Sequence, residues 1–306
     1  MIDRLIESID RLKAPIVVGL DPTPDVVPEE FFSAATKELG ETPAAGAMAL
    51  LRFNCEIIDA VAEVVPAVKP NIAFYERFGP IGIYAYIETC EYAKKKGLIV
   101  IGDIKRGDIG STAAAYADHL KPVDLFDNMF EVWHEDAVTL NPYLGTDSIS
   151  PFLEVMKDRE KGIFILVKTS NSGSADIQDL LVGDNNTPLY EHVAGLASEW
   201  GSAEGIMGNR GYSKVGAVVG ATHPETGARL RELMRHTFFL VPGYGAQGAG
   251  AKDVRKFFDA KGSGAIVNSS RGIIGAWKSS SEGFLSIGES AREAAIQMRD
   301  QLGAVL

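Results

Sequence analysis

Cysteine is scarce in this chain and forms no motif. Cys55 and Cys90 fall in segments that read as helices, with no C-x-x-C spacing, which argues against a disulfide framework or a zinc site of that kind. Buried free thiols in a reducing compartment are the expectation. Basic residues are in deficit too, with 30 Lys and Arg against 41 Asp and Glu and a net charge of -11. That balance disfavours a general nucleic-acid or anionic-membrane surface, because such binding rests on clustered cations. A small anionic ligand stays open, since a few local cations and backbone amides suffice to hold one. Long apolar runs are missing as well: none approaches the roughly 18–20 residues of a membrane span. Met1 to Ala14 mixes acids with bases around no apolar signal core, so a cytoplasmic protein is expected. The first apolar run ends Gly19-Leu20-Asp21-Pro22 without a G-x-G-x-x-G, and nothing points to a dinucleotide fingerprint. His119, His134, His192, His223 and His236 show no ligand spacing with acids, so solvent or core roles are expected and no metal site is assigned.

What the chain does have is alternation. Strand-like runs at Ile16–Leu20, Ala67–Ala73, Leu98–Asp103, Ala137–Asn141, Gly162–Lys168, Val215–Gly220, Thr237–Val241 and Ala265–Asn268 are separated by longer helical patterns. The helices are expected at Ala44–Val65, Ile81–Lys96, Ser111–His119, Asp147–Asp158, Pro188–Met207, Pro224–Met234, Ala251–Ala260 and Phe284–Leu302. Strands alternating with helices imply parallel pairing through right-handed crossovers. Eight such units predict a closed (β/α)8 barrel forming a single α/β domain over residues 1–306, with an open doubly wound sheet as the alternative. Three connections exceed the usual length of a few residues: Pro22 to Pro43, Thr169 to Thr187 and Asn268 to Glu282, after strands one, five and eight. In a barrel all three lie at the C-terminal face, where barrel enzymes build their sites.

The stretch Gly102-Asp103-Ile104-Lys105-Arg106-Gly107-Asp108-Ile109-Gly110-Ser111-Thr112 follows a buried-strand signal. A two-residue period puts Asp103 and Lys105 on one face if the strand continues that far, with Asp108 just beyond its end. Two acids and a base sharing a small volume perturb one another's pKa values, as catalytic groups often do. Taken alone, the same spacing also suits a surface salt-bridged turn.

The other strand ends add weight. Asp21 closes strand one, and Lys69 lies within Ala67-Val68-Lys69-Pro70-Asn71, where a charge is costly to bury without partners. Strand four ends Thr139-Leu140-Asn141-Pro142, strand five ends Lys168-Thr169-Ser170-Asn171, and strand six ends Gly220-Ala221-Thr222. Strand seven runs into Pro242-Gly243-Tyr244-Gly245-Ala246-Gln247-Gly248, and strand eight into Asn268-Ser269-Ser270-Arg271-Gly272. Small residues let backbone amides approach an anion, and Arg adds a fork of donors suited to phosphate. Loops after strands seven and eight are the usual phosphate site of this fold.

The run Asp103-Ile104-Lys105-Arg106-Gly107-Asp108-Ile109-Gly110-Ser111-Thr112 resembles the D-x-K-x-x-D-I-x-x-T signature of orotidine 5'-phosphate decarboxylases, with Lys69, Pro242–Gly248 and Ser270-Arg271-Gly272 placed where that family has its other site elements. Together with Val167-Lys168-Thr169-Ser170-Asn171, it looks closest to the longer bacterial (mycobacterial-type) branch. The resemblance implies a cofactor-free barrel enzyme of de novo pyrimidine biosynthesis. It would convert orotidine 5'-monophosphate to uridine 5'-monophosphate and carbon dioxide, with no metal. It implies a charged network of Lys69, Asp103, Lys105 and Asp108, in which Lys105 protonates C6. It further implies a homodimer, in which Asp108, Ile109 and Thr112 complete the neighbouring subunit's site. Asp21 would meet the ribose and Thr169, Ser170 and Asn171 the pyrimidine edge. Pro242, Gly243, Gln247, Gly248, Ser270 and Arg271 would meet the phosphate. Two alternatives stay open: a metal-dependent sugar-phosphate decarboxylase or aldolase of the same superfamily, which would carry Glu where Lys69 stands, and an inactive phosphate-binding barrel.

Overall fold

The alternating pattern resolves into parallel strands β1 (Ile16–Leu20), β2 (Ala67–Pro70), β3 (Ile99–Arg106), β4 (Ala137–Leu140), β5 (Gly162–Lys168), β6 (Val215–Val219), β7 (Phe239–Val241) and β8 (Ala265–Ser269). In this computed structural model, which describes residues 1–245, 248–279 and 286–306, they close into a barrel in the order β1-β8-β7-β6-β5-β4-β3-β2. Helices α1 (Ile2–Leu12), α2 (Glu29–Leu39), α3 (Pro43–Val61), α4 (Pro80–Lys95), α5 (Gly110–Ala117), α6 (Thr146–Asp158), α7 (Leu189–Gly201), α8 (Pro224–Leu233) and α9 (Ile287–Gly303) accompany them. The fold is a (β/α)8 barrel, and the open-sheet alternative falls because β1 pairs with both β2 and β8.

Side-chain parity explains what faces where. Successive residues of a strand point to opposite sides, so Ile16, Val18, Val68, Val100, Val138, Ile163, Ile165, Val215, Ala217, Phe239 and Val267 pack outward under the helices. Val17, Ala67, Ile99, Ile101, Ala137, Phe164, Val218, Leu240 and Ile266 form a separate inward cluster with Met1, Ile2, Leu5 and Ile6 of the N-terminal segment. The amphipathic helix α1, which periodicity did not single out, therefore plugs the N-terminal end of the barrel. Farther up the same columns the inward positions turn polar: Lys69 follows Ala67, Asp103 follows Ile101, and Thr139 follows Ala137. Burial of the lower layers pins the height at which those polar groups stand.

Several boundaries differ from expectation. The run Ala67–Ala73 stops as a strand at Pro70, because a short helical turn begins at Ala73, although Asn71 still bridges to Asp103. Ala44–Val65 ends as a helix at Val61, and Ala251–Ala260 divides into a short helix, Ala251–Val254, and a 3-10 turn, Arg255–Phe257. Helix α3 starts where Thr42 accepts a hydrogen bond from the Ala45 amide and Pro43 takes the first helical position. The long connections also carry structure, described for the third as far as Ser279. The first contains α2, held to α3 by the edge-to-face pair Phe31–Phe53. The second contains a helical turn, Ala175–Gln178, and an antiparallel pair, Leu181–Val182 with Thr187–Pro188. The third includes Trp277, whose indole N–H donates to the Val26 carbonyl at 3.0 Å.

Behind β3 sits a buried polar knot invisible to local spacing. Glu135 is fully buried, accepting from the Tyr86 hydroxyl through one oxygen and facing His119 Nδ1 at 2.7 Å through the other. His119 stacks on Trp133 with ring centroids 3.9 Å apart. Of the solvent or core roles expected for the histidines, His119 takes the core one, and its acidic partner lies sixteen residues away. The knot crowds the outer face of β3, where a Cβ on Gly102 would collide with Glu135 Oε1 and stand 2.8 Å from the Tyr86 hydroxyl. With Glu135 fixed at both oxygens, Gly102→Ala is expected to lower stability by about 1–3 kcal/mol through overpacking. Urea unfolding of the two proteins checks this, and equal midpoints would contradict it.

Candidate active site

The mouth of the barrel opens into a cavity of about 900 Å³ whose lining includes Lys69, Asp103, Lys105, Thr139, Leu166 and Val218. Its charged floor is set by neighbouring strands. Lys69 Nζ on β2 lies 2.6 Å from Asp103 Oδ2 on β3, and both side chains are buried. Lys105 Nζ approaches the other oxygen, Asp103 Oδ1, at 2.5 Å. The Thr139 hydroxyl donates to that same oxygen at 2.9 Å. Burial alone would favour the neutral acid, but the two ammonium groups more than offset it and hold the Asp103 carboxyl well below the usual carboxylate range. Lys69 moves the other way for the same reason: burial would lower it, and the charges of Asp103 and Asp21 raise it above the usual lysine value. Asp103 is thus an anion and Lys69 a cation at neutral pH.

Lys105 reaches this floor by an irregular route. Ile101 and Gly102 pair with Ala137 and Val138, and the next pairing is Arg106 with Leu140. Asp103, Ile104 and Lys105 are consequently bulged opposite Thr139 alone. Bulges of this kind re-aim side chains beside functional sites. Lys105 takes a positive φ of 47°, a left-handed conformation costing a non-glycine residue about 1–3 kcal/mol. Its amide, displaced from the ladder, donates to the Thr139 hydroxyl at 3.0 Å. The ammonium end is half exposed in the cavity, in contrast to buried Lys69.

Other expected site residues divide into those brought to the mouth and those left outside it. Asp21 has a buried carboxylate oxygen, Oδ1, with no hydrogen-bond partner among the described residues, and Asn268 Oδ1 is in the same position. Such orphaned acceptors suit a ligand carrying hydroxyl donors. Thr169, Ser170 and Asn171 line the cavity. Thr169 is held by Gln178, which accepts from its amide at 2.9 Å and donates to its hydroxyl at 2.8 Å. Lys168 pairs with Asp179 at 2.6 Å, pinning the same insertion to the end of β5. Gly220 permits the close approach, since a Cβ there would lie 2.7 Å from the Ser170 backbone. Pro242 also lines the cavity. Gly243 and Gly248 adopt φ of 104° and 97°, conformations that favour glycine. Gln247 lies outside the described residues. Ser270 accepts from the Asn268 side-chain amide at 3.3 Å, and Arg271 is exposed at the start of a short helical turn.

Asp108 does not join the charged floor of its own chain. Its carboxylate accepts from the adjacent Ile109 amide at 2.8 Å, and Ile109 and Thr112 are exposed. Thr139 was visible in sequence only as part of a strand-end turn. Its parity with inward-facing Ala137, two residues earlier, is the signal that marks it as a cavity residue.

Comparison with known proteins agrees with this geometry. Residues 14–283 match the model of the orotidine 5'-phosphate decarboxylase / HUMPS family. Orotidine 5'-phosphate decarboxylase from Rhodopirellula baltica is 46% identical over 304 residues, covering 98% of this chain and 97% of that protein. The Clostridium acetobutylicum enzyme of the same name is 42% identical over 307 residues, with full coverage of both. The solved structure of Leishmania donovani OMP decarboxylase superposes with a TM-score of 0.73 at 34% identity, covering 99% of this chain and 98% of that one.

The buried pair has a pH signature. Asp103, depressed on folding, contributes stability that is present above the usual carboxylate pKa and lost as pH falls through its folded value. Lys69, raised on folding, contributes stability that is present below the usual lysine pKa and lost as pH rises through its folded value. Asp103→Asn strands the Lys69 ammonium without its counter-ion and is expected to cost about 3–5 kcal/mol at pH 7. The gap from the unsubstituted protein should narrow below pH about 4. Chemical denaturation at pH 7 and pH 3 measures both, and no gap at pH 7 refutes the expectation.

Proposed function

The chain belongs to the orotidine 5'-phosphate decarboxylase / HUMPS family, and from that premise we propose that it converts orotidine 5'-monophosphate to uridine 5'-monophosphate and carbon dioxide, with Lys105 protonating C6. The same reading assigns it to pyrimidine biosynthesis, and we take the cytoplasm as its location. The observation that carries the reading is the Lys69–Asp103–Lys105 floor, in which one ammonium is buried and fixed while the other is half exposed at the cavity. We assign the chain to the longer bacterial (mycobacterial-type) branch on its Asp103–Thr112 run and its Val167–Asn171 stretch.

The chemistry needs such a floor. Breaking the bond between C6 and the carboxylate leaves the electron pair on C6, in an orbital that the ring does little to delocalise. A fixed positive charge beside that carbon stabilises it, and Lys105 then gives C6 a proton and is left as a neutral amine. Asp103 faces the departing carboxylate, so the repulsion is relieved as carbon dioxide forms. Asp103 also holds both ammonium groups in place before reaction. Preorganised charge of this kind needs no reorganisation in the transition state.

Around that centre, Asp21 meets the ribose hydroxyls, supported by its orphaned oxygen. Thr169, Ser170 and Asn171 face the pyrimidine edge. Pro242, Gly243, Gln247, Gly248, Ser270 and Arg271 hold the phosphate, whose binding energy is remote from the reacting carbon and available for closing the site. Asp108, Ile109 and Thr112 complete the site of a second subunit in a homodimer. Their support is the turning of Asp108 away from its own floor and the exposure of Ile109 and Thr112.

The deciding experiment mixes purified protein with orotidine 5'-monophosphate in EDTA and follows loss of orotate absorbance. Turnover without added metal is expected, and Lys105→Ala should abolish nearly all of it while leaving the circular dichroism spectrum unchanged. Absent turnover, or turnover that requires magnesium, overturns the reading. Arg271→Ala is expected chiefly to raise KM, and an unchanged KM would remove Arg271 from the phosphate site.

A further inference from the structure

We propose that Thr139 is a positioning residue for the decarboxylation: its hydroxyl holds Lys105 in the left-handed conformation and fixes the Asp103 oxygen that Lys105 touches. The inference rests on the function proposed above and adds a residue to it. Three residues of β3 stand opposite this one residue of β4, so the ladder has no carbonyl in place for the Lys105 amide. The Thr139 hydroxyl fills that gap. It accepts from the Lys105 amide at 3.0 Å and donates to Asp103 Oδ1 at 2.9 Å. Lys105 Nζ meets that same Oδ1 at 2.5 Å. One hydroxyl therefore closes a ring that runs from the backbone of Lys105, through Thr139 and Asp103, back to the ammonium of the same lysine.

The geometry is specific to a hydroxyl. Thr139 is buried, so neither bond is replaced by bulk water. Valine keeps the shape and the strand preference of threonine but neither accepts nor donates. In its place the Lys105 amide is left without its acceptor, and the left-handed backbone loses what holds it against the ordinary preference for negative φ. Asp103 stays paired with Lys69, so the charged floor persists while the ammonium that faces the substrate drifts. Serine, by contrast, restores both hydrogen bonds.

The test compares Thr139→Val and Thr139→Ser with the unsubstituted enzyme. For Thr139→Val, kcat is expected to fall about 10–100-fold, the scale of a displaced reacting group, with KM and the affinity for uridine 5'-monophosphate little changed. Thr139→Ser should recover most of the lost kcat. A crystal structure of Thr139→Val should show Lys105 at negative φ. Unchanged kcat in Thr139→Val, a Thr139→Ser as slow as Thr139→Val, or a Thr139→Val structure with Lys105 still at positive φ overturns the proposal. Should the unsubstituted protein fail to decarboxylate orotidine 5'-monophosphate, the proposed function falls, while the crystal structure still decides whether Thr139 positions Lys105.

Discussion

A lysine ammonium at the end of an aliphatic column is tolerable only with an anion in contact, and the Lys69–Asp103 pair meets that demand. Each partner alone would be forced toward its neutral form by burial. Together, 2.6 Å apart on adjacent strands, they stay ionised. The pair exists because β2 and β3 run parallel, with Ala67 opposite Ile99 and Asn71 opposite Asp103, so that the long Lys69 side chain reaches the inward carboxylate two residues farther along, at the height of the barrel mouth. The lower layers of Ala67, Ile99, Ile101 and Ala137 set that height. Electrostatics at the mouth is in this sense a product of packing below it.

The second lysine shows a different economy. Lys69 continues a regular strand and is immobilised by burial. Lys105 departs from the ladder, adopts a left-handed backbone and keeps a half-exposed ammonium. The two cations share one carboxylate, yet one is structural in its surroundings and the other is presented to the cavity. The difference comes from the bulge that separates Asp103 and Lys105 from the pairing frame of β4.

Much of this was legible in the chain. Strand positions followed from short apolar runs, because barrel strands are buried on both faces and read as continuous hydrophobic segments. The charged floor was legible at Lys69, Asp103 and Lys105, where charge interrupts such runs. Long-range pairings were not. The Glu135–His119 contact joins a strand entrance to a helix end, and Lys168–Asp179 joins a strand to an insertion, with no periodicity connecting either pair. The bulge also escaped, since a two-residue period read through Lys105 assumes a regular ladder. Asp103 and Lys105 do meet, as that period suggested, but by a left-handed turn of the backbone. Helix α1 escaped for another reason: its apolar face is short and packs into the lower end of the barrel instead of joining the outer ring.

That cap has a further consequence. Met1, Ile2, Leu5 and Ile6 seal the barrel from below, and the inward layers above them are apolar, Phe164 included, so among the described residues the lower inward layers offer no chain of polar groups running down from the mouth. In the proposed mechanism Lys105, having given its proton to carbon, would therefore be recharged from the same side by which nucleotide enters and leaves. Hydrogen supply and ligand exchange share one doorway. On that proposal each visit of substrate begins with one transferable proton already stored on the ammonium, and the amine is reloaded only when solvent returns through that doorway.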